Sequence, residues 1–335
     1  MDGYLPLGGV VSDYKPLAVV LGGGGFIGSN LVKRLVHEDR YKVVAVDVDW
    51  PKYRQECWEG ADQHFADLTD ITHAEEAVQN AEVVFHLAAD MGGVEYFHSN
   101  ADFTAAVYNA RITQNVLAAI GRQRGTRLVY ASSACAAATE HQYLQGYAPK
   151  LSEKDLYWGT PDQLYGAEKR FGAYMCERAP FDARVAIFHT IYGPYQEHEG
   201  IKMKFPAAVV RKALAARDTG EIELFGDGSQ LRSYLYIDDA LDRLLSLANM
   251  SYNPGPMMIG SEYTASCIEV ARLALHHAGA YDAEVKFNLN NKVAPTGVLG
   301  RNCDMTKCKN LFGRKDETSL GVGLKRMMKW IEEVM

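Results

Sequence analysis

The 335-residue sequence lacks any apolar run of about 18 residues, the length a helix needs to cross a bilayer. Residues 1–15 carry Asp2, Asp13 and the glycines 3, 8 and 9 where a secretory leader would have a basic segment and an apolar stretch, so a cytoplasmic address is expected. The six cysteines (Cys57, Cys135, Cys176, Cys267, Cys303 and Cys308) are widely spaced, with no CxxC pair and no histidines at zinc spacing. Neither a disulfide framework nor a metal site is signalled. Low-complexity sequence and solenoid-period repeats are missing too. Positive charge is scarce and scattered: the formal net charge is −7, which leaves no basic footprint for nucleic acid. What is present is a chain 47% hydrophobic, enough for a substantial core.

Apolar runs and helical periods alternate along the first half. Strands are predicted at 17–21, 42–48, 81–87, 127–131 and 184–188, and helices at 27–36, 105–122 and 163–177. This is the rhythm of an α/β fold with a doubly wound parallel sheet of the Rossmann type. After Gly193-Pro194 the pattern becomes a mixture: helices at 206–216, 237–248, 268–277 and 322–334, and a strand at 222–225. The reading divides the chain into an extension (1–16), a dinucleotide-binding domain (17–193) and a smaller C-terminal α/β lobe for substrate (194–335), with the lobes free to exchange strands.

Gly22, Gly25 and Gly28 lie between the first strand and the first helix. Gly22 suits a tight turn, Gly25 lets backbone approach a pyrophosphate, and Gly28 lets helix and strand pack closely, with Phe26 and Ile27 opening the helix toward the phosphates. Asp47 ends the second strand, 19 residues beyond Gly28. Its carboxylate would accept from a ribose hydroxyl and repel a 2′-phosphate, which points to NAD over NADP. Asp67 and Leu68, with Leu87, Ala88 and Ala89 at a strand end, would line the adenine and the pyrophosphate floor.

Tyr165 and Lys169 stand four apart on one face of a predicted helix, and Ser133 ends the preceding strand. A tyrosine needs help to act as a base at neutral pH, and a nearby ammonium favours its phenolate. Ser133 would hold the substrate oxygen.

With these motifs in place, the chain resembles the extended short-chain dehydrogenase/reductase superfamily, and within it the GDP-mannose 3,5-epimerase family. The matching residues are Ala88-Ala89-Asp90-Met91-Gly92-Gly93, Tyr130-Ala131-Ser132-Ser133-Ala134-Cys135, Tyr165-Gly166-Ala167-Glu168-Lys169, Ile191-Tyr192-Gly193-Pro194 and Lys204-Phe205-Pro206-Ala207-Ala208. Gly226 to Ser233 and Gly300-Arg301-Asn302 continue the match, which covers nearly everything from Leu17 onward. The resemblance implies a nucleotide-sugar epimerase with tightly bound NAD: transient oxidation at C4, deprotonation and reprotonation at C3 and C5, then re-reduction. It makes Cys135 and Lys204 the acid/base pair on opposite faces of the sugar. By residue type alone Cys135 reads as a core thiol and Lys204 as a surface lysine, with Lys202 a close competitor.

The resemblance further implies phosphate contacts from Arg232 and Arg301, with Lys212 and Gln230 alongside, and room for the hexose at Met91, Gly92 and Gly93. It also implies a homodimer through helices near 104–121 and 161–178; the charge balance and the lack of a long apolar run point to no nucleic-acid or membrane partner. Two departures fall near the expected substrate: Ala136-Ala137-Ala138 replace Ile-Tyr-Pro, and Thr190 stands where asparagine is expected. Other outcomes on the same scaffold stay open: a 5-epimerase, a 4-epimerase, or an atypical dehydratase using Cys135 and Lys204. From another class, an idle NAD-binding regulatory protein is the rival.

Overall fold

The structure is a computed structural model that describes residues 14–97, 101–289 and 297–335. Most of the expected extension (residues 1–13) lies outside the described residues.

The core begins with β1 (Leu17–Leu21), in which four of five side chains are buried, and continues into α1 (Phe26–Glu38) and β2 (Lys42–Asp47). A 3₁₀ turn over Lys52–Trp58 leads to β3 (Asp62–Phe65), whose four residues are all exposed, as suits a sheet edge. Next come α2 (Ile71–Val78), capped by the Asp70 carboxylate on the Thr72 N–H, β4 (Val83–His86), a short α3 (Val94–Tyr96), α4 (Asp102–Gly121) and β5 (Arg127–Ser133). After them run β6 (Lys150–Leu151), α5 (Gln163–Glu177), β7 (Ala183–Phe188), β8 (Thr190–Tyr192), α6 (Phe205–Thr219), β9 (Glu221–Phe225), β10 (Leu231–Tyr236) and α7 (Ile237–Asn249). The chain closes with β11 (Met257–Ile259), β12 (Thr264–Ser266), α8 (Cys267–Ala278), β13 (Glu284–Asn288), β14 (Gly300–Cys303), α9 (Thr306–Phe312) and α10 (Leu320–Val334).

Seven strands form one sheet in the order β11-β7-β5-β4-β1-β2-β3, and every pairing in it is parallel. This is the expected doubly wound sheet. Strand order reverses between β1 and β4, and the crevice outside their carboxyl ends is where such folds take ligands. The glycine loop and Leu87 to Ala89 both emerge there.

The smaller lobe is built on β12-β10-β14-β6, with β8 also paired to β10, and on the two-stranded β13-β9. The lobes are interleaved segments of chain rather than two consecutive ones. β6 and β8 precede residue 194 yet join the small sheet, while β11 returns to extend the large one. All three β11 side chains are buried, with the strand paired to β7 and covered by α7 and α9. Arg184 and Arg127 fasten α7 to the same sheet by donating to the Leu247 and Ala248 carbonyls at its C-terminal end.

Candidate active site

Backbone crowding explains the glycines of the first loop. Gly22 has a φ of +86°, and a Cβ there would lie 2.6 Å from the Ala88 nitrogen; a Cβ on Gly28 would lie 1.9 Å from the Gly22 carbonyl oxygen. Gly25 precedes α1 without a side-chain cap, so the first-turn N–H groups at Phe26 and Ile27 are left for an anion. Asp47 accepts from the Gly24 and Val48 N–H groups at 2.8 and 2.7 Å and from that of Asp49 at 3.2 Å. Burial raises its pKa, and these three donors oppose the rise. Three of a carboxylate's roughly four acceptor sites are thus occupied, leaving capacity for a ribose hydroxyl. Leu87 continues the sheet ladder to the Leu21 carbonyl at 2.9 Å, which keeps Ala88 and Ala89 against the loop. Asp67 is exposed after β3 and accepts from the Thr69 N–H, while Leu68 is buried and held through its carbonyl by Asn115.

Two supports for this loop escape sequence reasoning. The buried Arg54 donates to the Gly24 and Tyr195 carbonyls at 2.8 and 2.7 Å, and Trp58 donates to the Gly23 carbonyl at 3.0 Å. No local motif announces them. An uncapped helix end, a close-packed glycine turn and a half-buried acidic acceptor fit a dinucleotide diphosphate and its ribose.

The second cluster lies at the ends of β5 and α5. Asp102 at the start of α4 accepts from the Leu164 and Tyr165 N–H groups at 3.1 Å and so caps α5. Gly166 lets α5 meet the turn after β5: a Cβ there would lie 2.2 Å from the Cys135 carbonyl oxygen. Tyr165 and Lys169 are both buried, with the Lys169 Nζ 5.8 Å from the Tyr165 ring centre. Burial pushes the phenol upward, helped by Cys135 and Glu168, and a hydrogen bond with Ser133 pulls it down. Phe97, which no sequence signal marked, stacks on the Tyr165 ring at 4.9 Å. Behind Lys169 the Glu168 carboxylate stands 3.5 Å from its Nζ and accepts from Thr113 and Tyr130. His86 in the same cluster is held near a pKa of about 3 by burial and the lysine charge, hence neutral.

A cavity of ≈ 330 Å³ opens in front of Tyr165. Ser133, Cys135 and Tyr165 face it from the large sheet; Met91, Gly92 and Gly93 from the loop after β4; and Thr190, Lys204, Lys212, Gln230, Arg232 and Arg301 from the smaller lobe. Lys204 extends to the Met91 sulfur at 3.5 Å and has no ion pair among the described residues. Burial lowers its pKa, and Cys135 counters. Its competitor Lys202 is spent on Asp90 at 2.7 Å, half exposed and outside the cavity.

The cavity also corrects one expectation. Ala136, Ala137 and Ala138 are almost fully buried and do not face it, because the chain after Cys135 turns away in a 3₁₀ turn (Ala134–Ala136) and the Ala136 carbonyl is taken by Arg170. Arg301 also reaches the cavity, and each of its nitrogens donates once, to Gln142, Cys135 and Asp162, which leaves two of its five N–H groups for a further acceptor. Arg232, its register partner on the neighbouring strand, donates only to the Leu231 and Val298 carbonyls and has no ion pair among the described residues. Burial and the adjacent Arg301 lower its pKa, so an anion arriving there would relieve an uncompensated charge. Lys212 lies over the Phe225 ring and donates to the Glu223 carbonyl.

Residues 18–260 match the profile of the NAD dependent epimerase/dehydratase family. The chain is 33% identical to a GDP-mannose 3,5-epimerase of Arabidopsis thaliana, over 94% of its own length and 81% of that protein's, and 34% identical, with the same coverage, to GDP-mannose 3,5-epimerase 1 of Oryza sativa subsp. indica. Its fold superposes on UDP-glucose 4-epimerase of Thermotoga maritima, solved with UDP-glucose, at a TM-score of 0.80 and 24% identity, covering 95% of this chain and 99% of that one. The chain belongs to the NAD dependent epimerase/dehydratase family and is an enzyme that works with NAD.

Proposed function

We propose that the protein is an NAD-dependent sugar-nucleotide epimerase. Its particular reaction is that of a GDP-mannose 3,5-epimerase, inverting C3 and C5 of GDP-mannose or a close GDP-hexose by way of a C4 ketone. The observation that carries this reading is the presence of Cys135 and Lys204 in one cavity with Tyr165. Bound NAD supplies reversible hydride acceptance at C4. Tyr165 takes the O4 proton, aided by Ser133, and returns it at the end. The C4 carbonyl acidifies the neighbouring C–H bonds, so Cys135 can remove a proton from one face while Lys204 delivers one to the other. Neither needs to be a strong base. The usual Asp-Glu pair of sugar dehydratases is replaced by Ala134-Cys135, which disfavours ordinary elimination. Arg232 and Lys212 carry the positive charge for the diphosphate.

Incubation with GDP-mannose in D₂O tests the reading by NMR of the recovered sugar nucleotide. Deuterium at both C3 and C5 is expected. Deuterium at C5 alone would make the protein a 5-epimerase, and none at either carbon overturns the proposal.

No helix among the described residues is long and apolar enough to cross a membrane, and the reading assigns the enzyme to the cytoplasm. It also assigns a homodimer. On α4 the side chains of Phe103, Val107 and Tyr108, and on the adjacent α5 those of Leu164, Phe171 and Met175, are exposed as one apolar face. A second copy of the same two helices would cover it in a two-fold interface. Phe171→Glu should reduce the sedimenting mass to the 37.1 kDa of one chain; an unchanged dimer would place the interface elsewhere.

A further inference from the structure

The glycines of the cofactor loop, Gly22 to Gly25, have every backbone polar group taken up inside the protein. The N–H groups of Gly22 and Gly23 donate to the Val46 carbonyl at 2.8 and 3.1 Å, that of Gly24 to Asp47 Oδ2 at 2.8 Å, and that of Gly25 to the Gly22 carbonyl at 3.1 Å. On the acceptor side, the Gly25 carbonyl takes the Ser29 N–H, and the Ser29 hydroxyl is shared between the Gly25 and Gly23 carbonyls at 2.7 and 3.1 Å. Trp58 adds a second donor to Gly23. The Gly24 carbonyl has one donor among the described residues, Arg54 Nη1 at 2.8 Å. The Gly24–Gly25 peptide is therefore pinned at its N–H end by the loop itself and at its oxygen end by Arg54 alone, immediately before α1 begins. The other edge of the guanidinium reaches a distant segment. Nε donates to the Tyr195 carbonyl at 2.7 Å, and Tyr195 sits in the left-handed region at a φ of +66°. The Tyr195 hydroxyl is bonded to Glu56 and accepts from Lys33 of α1 at 2.8 Å. Arg54 itself is 3% exposed, with the Glu197 carboxylate 3.8 Å from Nη2.

We infer that Arg54 is a positioning residue for NAD: by bridging the Gly24 and Tyr195 carbonyls it holds the cofactor loop in its binding shape and ties that loop to the segment leading to Lys204. The inference rests on the use of NAD and not on the particular sugar reaction. A guanidinium suits this place because it donates along fixed directions to two neutral acceptors and keeps its proton when buried. Hydrogen bonds from a charged donor are also the stronger kind. Without Arg54 neither carbonyl keeps a donor among the described residues, and a buried carbonyl left bare drives the backbone to move until it finds one. The first-turn N–H groups at Phe26 and Ile27 follow directly on the pinned peptide, so their direction depends on it. A loop already in its bound shape has little ordering left to do when the diphosphate arrives, which makes release slow. Trp58 fixes the same loop less firmly: the Gly23 carbonyl retains the Ser29 hydroxyl if the indole N–H is lost, whereas the Gly24 carbonyl retains nothing.

The test loads the full-length enzyme with NADH, adds excess NAD and follows the loss of bound-NADH fluorescence, and it measures GDP affinity of the NAD-saturated proteins by calorimetry. Arg54→Met is expected to speed release about tenfold, as loss of one charged hydrogen bond implies. Arg54→Lys, which keeps the charge but not the two fixed directions, should speed it about fivefold, and Trp58→Phe at most about threefold. GDP affinity should stay within about twofold throughout, because the diphosphate contacts of the sugar nucleotide lie elsewhere. Leu35→Ala, a buried deletion farther along α1, serves as the control for general loosening and should leave release within about twofold. Release by Arg54→Met within threefold of wild type overturns the inference, and so does equal speeding by Leu35→Ala, which would make the effect one of stability. A tenfold loss of GDP affinity with release unchanged overturns it as well, by making Arg54 a support of the Tyr195 segment alone. Where Arg54→Met does not fold, Arg54→Lys decides, and release within twofold of wild type overturns the inference. Release is measured without sugar, so absence of deuterium incorporation from GDP-mannose would sink the proposed reaction and leave this result standing.

Discussion

Tyr165→Phe is expected to lower kcat by about 10²–10⁴, the usual contribution of a positioned acid or base, which corresponds to about 3–5 kcal/mol of barrier. The ring keeps its stacking on Phe97 and its place in the buried corner, so the fold should survive. Affinity for GDP-mannose should change little, because the hydroxyl acts on O4 during reaction and the diphosphate contacts are elsewhere. The pH dependence has a definite sign. Burial, with Cys135 and Glu168 nearby, pushes the Tyr165 phenol above its ordinary range, so it is protonated and a poor base at neutral pH. Turnover limited by the phenolate should therefore rise with pH on the acidic side, and that rise should be lost in Tyr165→Phe. A variant with kcat within a factor of three of wild type would remove Tyr165 from the chemistry.

Cys135→Ala is expected to separate the two halves of the reaction. Epimer formation and deuterium incorporation should fall by about 10²–10⁴. Oxidation at C4 should persist, because Tyr165, Lys169 and Ser133 are untouched. Quenching with borodeuteride reads this directly: label at C4 shows that the ketone still forms, while C3 and C5 stay free of solvent deuterium. If Cys135→Ala loses the C4 ketone as completely as Tyr165→Phe does, the thiol belongs to the oxidation step and the assignment of an acid/base pair fails.

The legible parts of this protein were those whose physics is local. The helix predicted over 163–177 coincides with α5 to the residue, because its apolar period and its start after Pro161-Asp162 are both written within a few residues. The strand predicted at 17–21 coincides with β1 for a similar reason: a short buried run is bounded by Pro16 and Gly22. By contrast β6, β8, β11, β12 and β14 have two to four residues each, too few for a period to register. β3 is exposed throughout, so its pattern carries no hydrophobic signal. The same limit governed Arg54: nothing near residue 54 indicates that its partners are the glycine loop and Tyr195.

Sequence by itself determined the groups available to this protein: a glycine turn opening a helix, an aspartate ending the second strand, a tyrosine and lysine one helical turn apart, and a cysteine beyond a strand-end serine. Tertiary structure decided how those groups are used. It put Lys204 at the cavity and paired Lys202 with Asp90, and it turned Ala136 to Ala138 away from the cavity. It also brought Arg301 to partners 139 to 166 residues away. A guanidinium carries the same charge wherever the chain takes it. Which acceptors surround it in a desolvated corner is set by packing between distant strands, and that packing cannot be read from the residues beside it in the chain.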